Sequence, residues 1–226
     1  MKKITGLLIV LCSVLTLQAQ DIKSVFIALP DSLSPLLTKV NREDFGDFLA
    51  SGMKAEVKNR FGRSAEMVKM TTDYLLLEPT ESSRVEMKLL PLSDSVKVMC
   101  VVHTYLGPLE DSKVDFYTTD WKRLDAADFL TLPAEDDFYA VPATESLADS
   151  LAGLKKYADM YLLKASLSEK DAVIRFDYMT PSYMEKEKAG QLKQFLKEQP
   201  LCYEWKNGKF VKRIACKKYR KSVRAT

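Results

Sequence analysis

Between Arg84 and Leu89 the chain alternates without a break: Val85, Met87 and Leu89 are apolar, while Arg84, Glu86 and Lys88 are charged. A period of two is that of a β-strand with one face on a core. Lys113 to Thr118 alternates in the same way, with Val114 and Phe116 on one side. Met67 to Leu77 and Val96 to Tyr105 are longer, β-prone and largely apolar, as interior strands are. Glu78-Pro79-Thr80-Glu81-Ser82-Ser83 separates two of these runs with turn residues. A parallel crossover needs a dozen residues or more, so connections this short impose antiparallel neighbours. The chain must therefore build a meander of about four antiparallel strands.

Helical spacing flanks that meander. Thr38 to Met53 reads as a helix, with Ser34-Pro35 as its start signal, a second start at Asn41 and Asp44, and Gly52 as its end. Val40, Phe45, Phe48 and Leu49 share one side of it. Residues 125–142, with Pro133, Pro142 and the run Glu135-Asp136-Asp137, read as a linker. Beyond it, Glu145 to Tyr157 carries Leu147, Leu151 and Leu154 at helical intervals. Tyr161 to Leu167 and Ala172 to Tyr178 form a second hairpin pattern. Ser182-Tyr183-Met184-Glu185 matches a capping box, opening a helix with Met184, Lys188, Leu192, Phe195 and Leu196 inward and Pro200 at its end. Asn207-Gly208 is a strong type I′ hairpin signal.

The expected fold is α+β, an antiparallel β-sheet or sheets with helices packed on one face. Residues 20–124 hold a helix and the meander, 143–216 a second α+β half, and 217–226 a basic tail. A weak internal echo, Asp73-Tyr74-Leu75-Leu76-Leu77 against Met160-Tyr161-Leu162-Leu163-Lys164, fits two similar halves and fits chance equally well.

Lys2 and Lys3, the apolar stretch Ile4 to Leu17 and the small polar run to Gln20 read as a signal peptide, residues 1–19, cut after Ala19. The apolar stretch is too short to span ~30 Å of hydrocarbon as a helix. Periplasmic or secreted localisation follows, with no transmembrane segment after cleavage. Cleavage removes Cys12 and leaves Cys100, Cys202 and Cys216, an odd set. In a two-residue hairpin Lys206 pairs with Lys209, which puts Cys202 opposite Arg213 and points Cys202 and Cys216 to different faces. A bridge between them needs a bulge or a strand departure. Buried free thiols are the expectation.

Composition supplies exclusions. At 46% hydrophobic and 29% charged, with 8 Gly and 9 Pro, the chain is of globular type and neither disordered nor repetitive. No glycine-rich phosphate loop occurs, so no cofactor is expected. His103, the single histidine, lies on a strand face with Met99, Val101 and Tyr105, without a nucleophile-elbow pattern nearby. It reads as a half-buried strand residue. Glu135-Asp136-Asp137 lacks the alternating ligands of a calcium loop and reads as solvated. Phe116, Tyr117, Trp121, Tyr203 and Trp205 could line a groove but read as sheet packing. No catalytic, cofactor or metal residue is assigned.

Charge is separated along the chain. Residues 206–226 carry nine Lys and Arg and no acid, and the remaining mature chain has net charge −8, although the whole sums to +3. Lys217, Lys218, Arg220, Lys221 and Arg224 are the candidate contacts with an anionic surface such as lipid headgroups. A solvated tail that only neutralises the acidic body is the plainer expectation. Nucleic acid is not expected as a partner, because the acidic body repels phosphate and the compartment is wrong.

Several segments resemble a family. Asn41-Arg42-Glu43-Asp44-Phe45 through Gly52-Met53, Met70-Thr71-Thr72-Asp73-Tyr74-Leu75, Lys88-Leu89-Leu90-Pro91, and Asp111-Ser112-Lys113-Val114-Asp115-Phe116-Tyr117 followed by Trp121 carry the likeness. Together they resemble a Bacteroidales family of exported domains of unknown function, from near Val25 to about Phe210. The resemblance implies export by a Gram-negative gut or oral bacterium. It implies no activity, substrate or catalytic residue.

The functional expectation is an exported non-enzymatic binding or envelope-assembly module, its partner an unidentified envelope protein or anionic surface. The alternative is an exported hydrolase acting on envelope or dietary polymers through paired carboxylates. Two buried carboxylates across an open cleft, one with a raised pKa, are the signature of that alternative. A third reading is a subunit that adds an exposed edge strand to a partner.

Overall fold

Asn207 and Gly208 take φ of 50° and 79°, the pair of positive values a type I′ turn requires. They join β10 (Leu201–Lys206) to β11 (Lys209–Lys212), with Lys206 opposite Lys209 as the hairpin spacing predicts. The protein is described here by a computed structural model, over residues 21–213 and Cys216.

The meander is longer than the four strands expected. Seven strands follow one another in strict antiparallel order: β1 (Glu56–Lys58), β2 (Ser64–Met70), β3 (Tyr74–Thr80), β4 (Ser83–Pro91), β5 (Lys97–Tyr105), β6 (Asp111–Thr118) and β7 (Arg123–Leu124). Met67 to Leu77 is therefore two strands. Thr71 breaks it: its hydroxyl accepts from the Tyr74 N–H at 3.0 Å, and its own N–H donates to the Tyr74 carbonyl at 2.7 Å. That is the side-chain turn chemistry of threonine, which pattern reading passed over.

The faces of this sheet do different things. Val85, Met87 and Leu89 point toward α1 (Ile22–Ile27) and α2 (Lys39–Ala50), packing with Ile22, Phe26, Leu37 and Phe45. The helix begins at Thr38 as expected, but its cap is Thr38 itself and not Ser34, because Thr38 and Asn41 cap each other's backbone N–H groups at 3.1 and 3.0 Å. The opposite face, with Leu90, Val98, Cys100, Val102 and Phe116, is covered by a second sheet. Its order is β11-β10-β9-β8, with β8 at Leu163–Leu167 and β9 at Val173–Tyr178.

One core therefore serves the chain on both sides of residues 125–142. That segment holds two short 3-10 turns, and it contributes Leu130 and Phe138 to the same core. α3 (Glu145–Lys155), capped by Thr144, and α4 (Lys186–Lys193) enclose a small cluster with Tyr139, Leu151 and Leu192. Ser182 does not cap α4; it ends a 3-10 turn, and the helix opens four residues later. It also stops early. The Phe195 carbonyl takes the Ala140 N–H at 2.7 Å, and the Lys197 N–H reaches the Phe138 carbonyl at 2.8 Å.

Cys202 and Cys216 are bridged, with Cα atoms 5.4 Å apart, and are not the free thiols expected. Strand departure is the reason. β11 ends at Lys212, and the Arg213 N–H makes the last ladder bond to the Cys202 carbonyl at 2.7 Å. Cys100 is free and buried in the core between the sheets.

Candidate functional site

Strand β8 is one of the two outer strands of the second sheet, so alternate backbone groups on its free edge lack a ladder partner. Side chains of the larger sheet meet them. Asp111 accepts from the Leu163 N–H at 3.0 Å, Ser112 donates to the Ala165 carbonyl at 3.5 Å, and Glu86 faces the Leu167 N–H. The second sheet thus stands with one edge on the first. A cleft of about 580 Å³ opens where the C-terminal end of β8 meets β3 and β4, within the usual size range of small-molecule sites.

Tyr74 and Glu86 form one side of the cleft. The other is the face of the second sheet turned away from Ile174 and Phe176, with Ser166, Val173, Arg175 and Cys202. Glu198, Pro200, Arg213 and Cys216 bound it toward the chain terminus. The bridge from Cys202 to Cys216 is therefore part of the wall.

Glu86 is 6% exposed. Burial pushes its carboxyl up to about 7, against the pull of the Tyr74 hydroxyl, which donates to Oε1 at 2.8 Å. Lys88, two residues on and 3% exposed, is held by Asp73 at 2.9 Å and by the Glu169 carbonyl at 2.9 Å. Arg175 pairs with Asp177 at 2.5 Å, and its buried Nε–H has no partner among the described residues. Asp171 and Glu198 line the cleft from exposed positions.

Sequence reasoning placed Glu86 and Lys88 on the polar face of their strand, and there they are. That face is covered by a sheet more than seventy residues further along the chain. Only the charged residues on an otherwise strong strand hinted at it. Arg175, inside a weakly alternating strand, gave no signal.

The aromatic residues divide between two cores. Phe116 stacks with Phe129 at 5.0 Å and with Trp205 at 6.4 Å between the sheets. Tyr117 and Trp121 lie on the helical side, where the Trp121 indole N–H donates to the Val25 carbonyl at 2.8 Å. His103 lines a separate 240 Å³ cavity with Ser32 and Asp115. Burial lowers its pKa, and Asp115 is already held by Lys113 at 2.8 Å and Arg123 at 2.9 Å. Glu135 accepts from the Tyr139 and Tyr178 hydroxyls, Asp136 pairs with Lys155, and Asp137 pairs with Lys212. The acidic run is a structural joint. Lys217, Lys218, Arg220, Lys221 and Arg224 lie outside the described residues.

The family-like segments perform structural tasks. Asn41 caps α2, Arg42 is 2% exposed and donates to the Leu29, Leu37 and Ile27 carbonyls, and Asp73 anchors Lys88. A solved structure of a domain of an uncharacterized protein from Porphyromonas gingivalis W83 is similar to this chain, with TM-score 0.74 and 27% identity over 85% of this chain and 98% of that one. No curated protein matches. Among the described residues no helix is long and apolar enough to cross a membrane. A family model described as "Protein of unknown function (DUF3256)" matches residues 14–210, so the chain belongs to the DUF3256 family.

Proposed function

We propose that the protein is an exported, non-enzymatic binding module of the cell envelope that holds a small ligand in the cleft between its two sheets. The observation that carries this reading is the preformed 580 Å³ cleft with a buried carboxyl, a tyrosine and two arginines, Arg175 and Arg213, in its walls. Export is supported by the signal-like residues 1–19 and by the Cys202–Cys216 bridge, which persists in oxidising compartments. The basic residues Lys217, Lys218, Arg220, Lys221 and Arg224 serve in this proposal as contacts to an anionic surface, adding to what the cleft holds.

A hydrolase is the second reading, because a cleft carboxyl raised to about 7 has the acidity a general acid needs. Binding is preferred on the environment of the other cleft carboxylates. Asp171 and Glu198 are exposed, whereas a paired-carboxylate mechanism needs a second positioned partner. The test compares wild type with Ser166→Trp, whose indole intrudes into the cleft from the Arg175 wall. Small-molecule extracts of envelope should raise the melting temperature of wild type alone. Equal stabilisation of both proteins would remove the cleft from the proposal. Turnover of envelope polymers that is lost in Glu86→Gln would favour the hydrolase.

A further inference from the structure

We infer that the cleft takes a zwitterionic ligand, a free amino acid or short peptide, with its carboxylate on Arg175 and its ammonium toward Asp171 and Glu198; this rests on the cleft being the binding site. Arg175 is fixed from one side, its Nη2 lying 2.5 Å from Asp177 Oδ1, while Nε–H is buried without an acceptor among the described residues. That nitrogen is sealed from the cleft, but the side chain as a whole keeps 33% of its surface exposed and lines the wall, so an incoming oxygen can meet the guanidinium there. Guanidinium geometry matches a carboxylate. Ser166 sits opposite Arg175 in the ladder and brings a hydroxyl to the same wall.

Charge balance narrows the class. Asp171 and Glu198 face solvent in the same cleft, while Arg213 is drawn to Glu204 at 3.5 Å. A dianion such as phosphate meets the two carboxylates, and a simple cation meets Arg175 and Arg213. A ligand carrying one charge of each sign satisfies both sides. Val173, Pro200 and the disulfide supply apolar surface for a side chain. The partly protonated Glu86 can donate to a ligand oxygen or accept from a ligand N–H.

Titration calorimetry on the full chain tests this with free dipeptides of apolar, polar and charged side chains, each also in N-acetylated and C-amidated form. Free dipeptides are expected to bind, and each cap to weaken binding by about tenfold or more. Arg175→Gln should bind free and amidated forms equally, and Asp171→Asn with Glu198→Gln should no longer sense acetylation. Thermal unfolding confirms that each variant is folded. Binding by no free dipeptide, or equal binding of free and capped forms, overturns the inference. A neutral sugar or a doubly capped peptide that binds wild type and is lost in Ser166→Trp also overturns it, but leaves the cleft as the binding site. Dipeptide binding that survives Ser166→Trp overturns both.

Discussion

The Tyr74 hydroxyl donates to Glu86 Oε1 at 2.8 Å across two neighbouring strands, inside a wall of the cleft. That bond favours the charged carboxylate, and burial outweighs it, so the folded protein holds a proton on Glu86 up to about pH 7. The unfolded chain releases it near the ordinary value of 4.5. Between those values the folded state binds the extra proton. Stability therefore falls as pH rises through the window, and the loss is complete above the folded pKa. Glu86→Gln keeps an acceptor for Tyr74 and cannot ionise. Urea unfolding should find it more stable than wild type by roughly 3 kcal/mol at about pH 8, with little difference near pH 4. A constant difference across pH would refute the ionisation argument.

Arg42 is expected to be the costliest single charge to remove. Its guanidinium donates to the Leu37 carbonyl at 2.8 Å and the Leu29 carbonyl at 2.6 Å, and pairs with Asp31. Arg42→Ala strands those carbonyls and should lose about 3 kcal/mol or more in chemical denaturation. Arg60→Ala removes the other, exposed partner of Asp31 and should cost under about 1 kcal/mol. Equal costs would show that the ion pair matters and the carbonyl bonds do not.

The disulfide closes a loop with a sequence separation of 14. By chain entropy alone such a bridge is worth about 3 kcal/mol. Cys216→Ser should lower stability on that scale, and wild type under reducing conditions should match the variant. Alkylation of the unfolded, unreduced protein lacking residues 1–19 should label Cys100 and leave Cys202 and Cys216 unmodified.

Two predictions concern the ends of the chain. Intact-mass measurement of exported protein should show loss of Met1 to Ala19. Anionic liposomes should sediment the full-length protein at low salt and release it at high salt, while a version ending at Cys216 stays in solution. Retention of the N-terminal segment would defeat export by this signal. Equal sedimentation of both versions would remove the tail as a contact.

The antiparallel meander, the Asn207-Gly208 turn and the helix beginning near Thr38 were legible because each rests on neighbours in sequence. The division at Thr71 was not, since one hydroxyl turns the chain where every flanking residue favours a strand. The cleft was invisible for a different reason. Glu86 reads as a solvent-facing residue of an amphipathic strand, and its burial depends on β8, a strand that lies beyond a connecting segment and a helix. The disulfide was misjudged because hairpin register governs Cys202 but ends before Cys216. Local pattern carries the elements; the site is made by their assembly.

The β8 edge has a consequence for how the molecule meets others of its kind. An open strand edge is an invitation to add another strand, and a second copy in high concentration is the nearest candidate. Here Asp111, Ser112 and Glu86 answer that edge from within the same chain. Three polar side chains thus act as a built-in stopper, and this row of backbone groups is spent before any neighbour arrives.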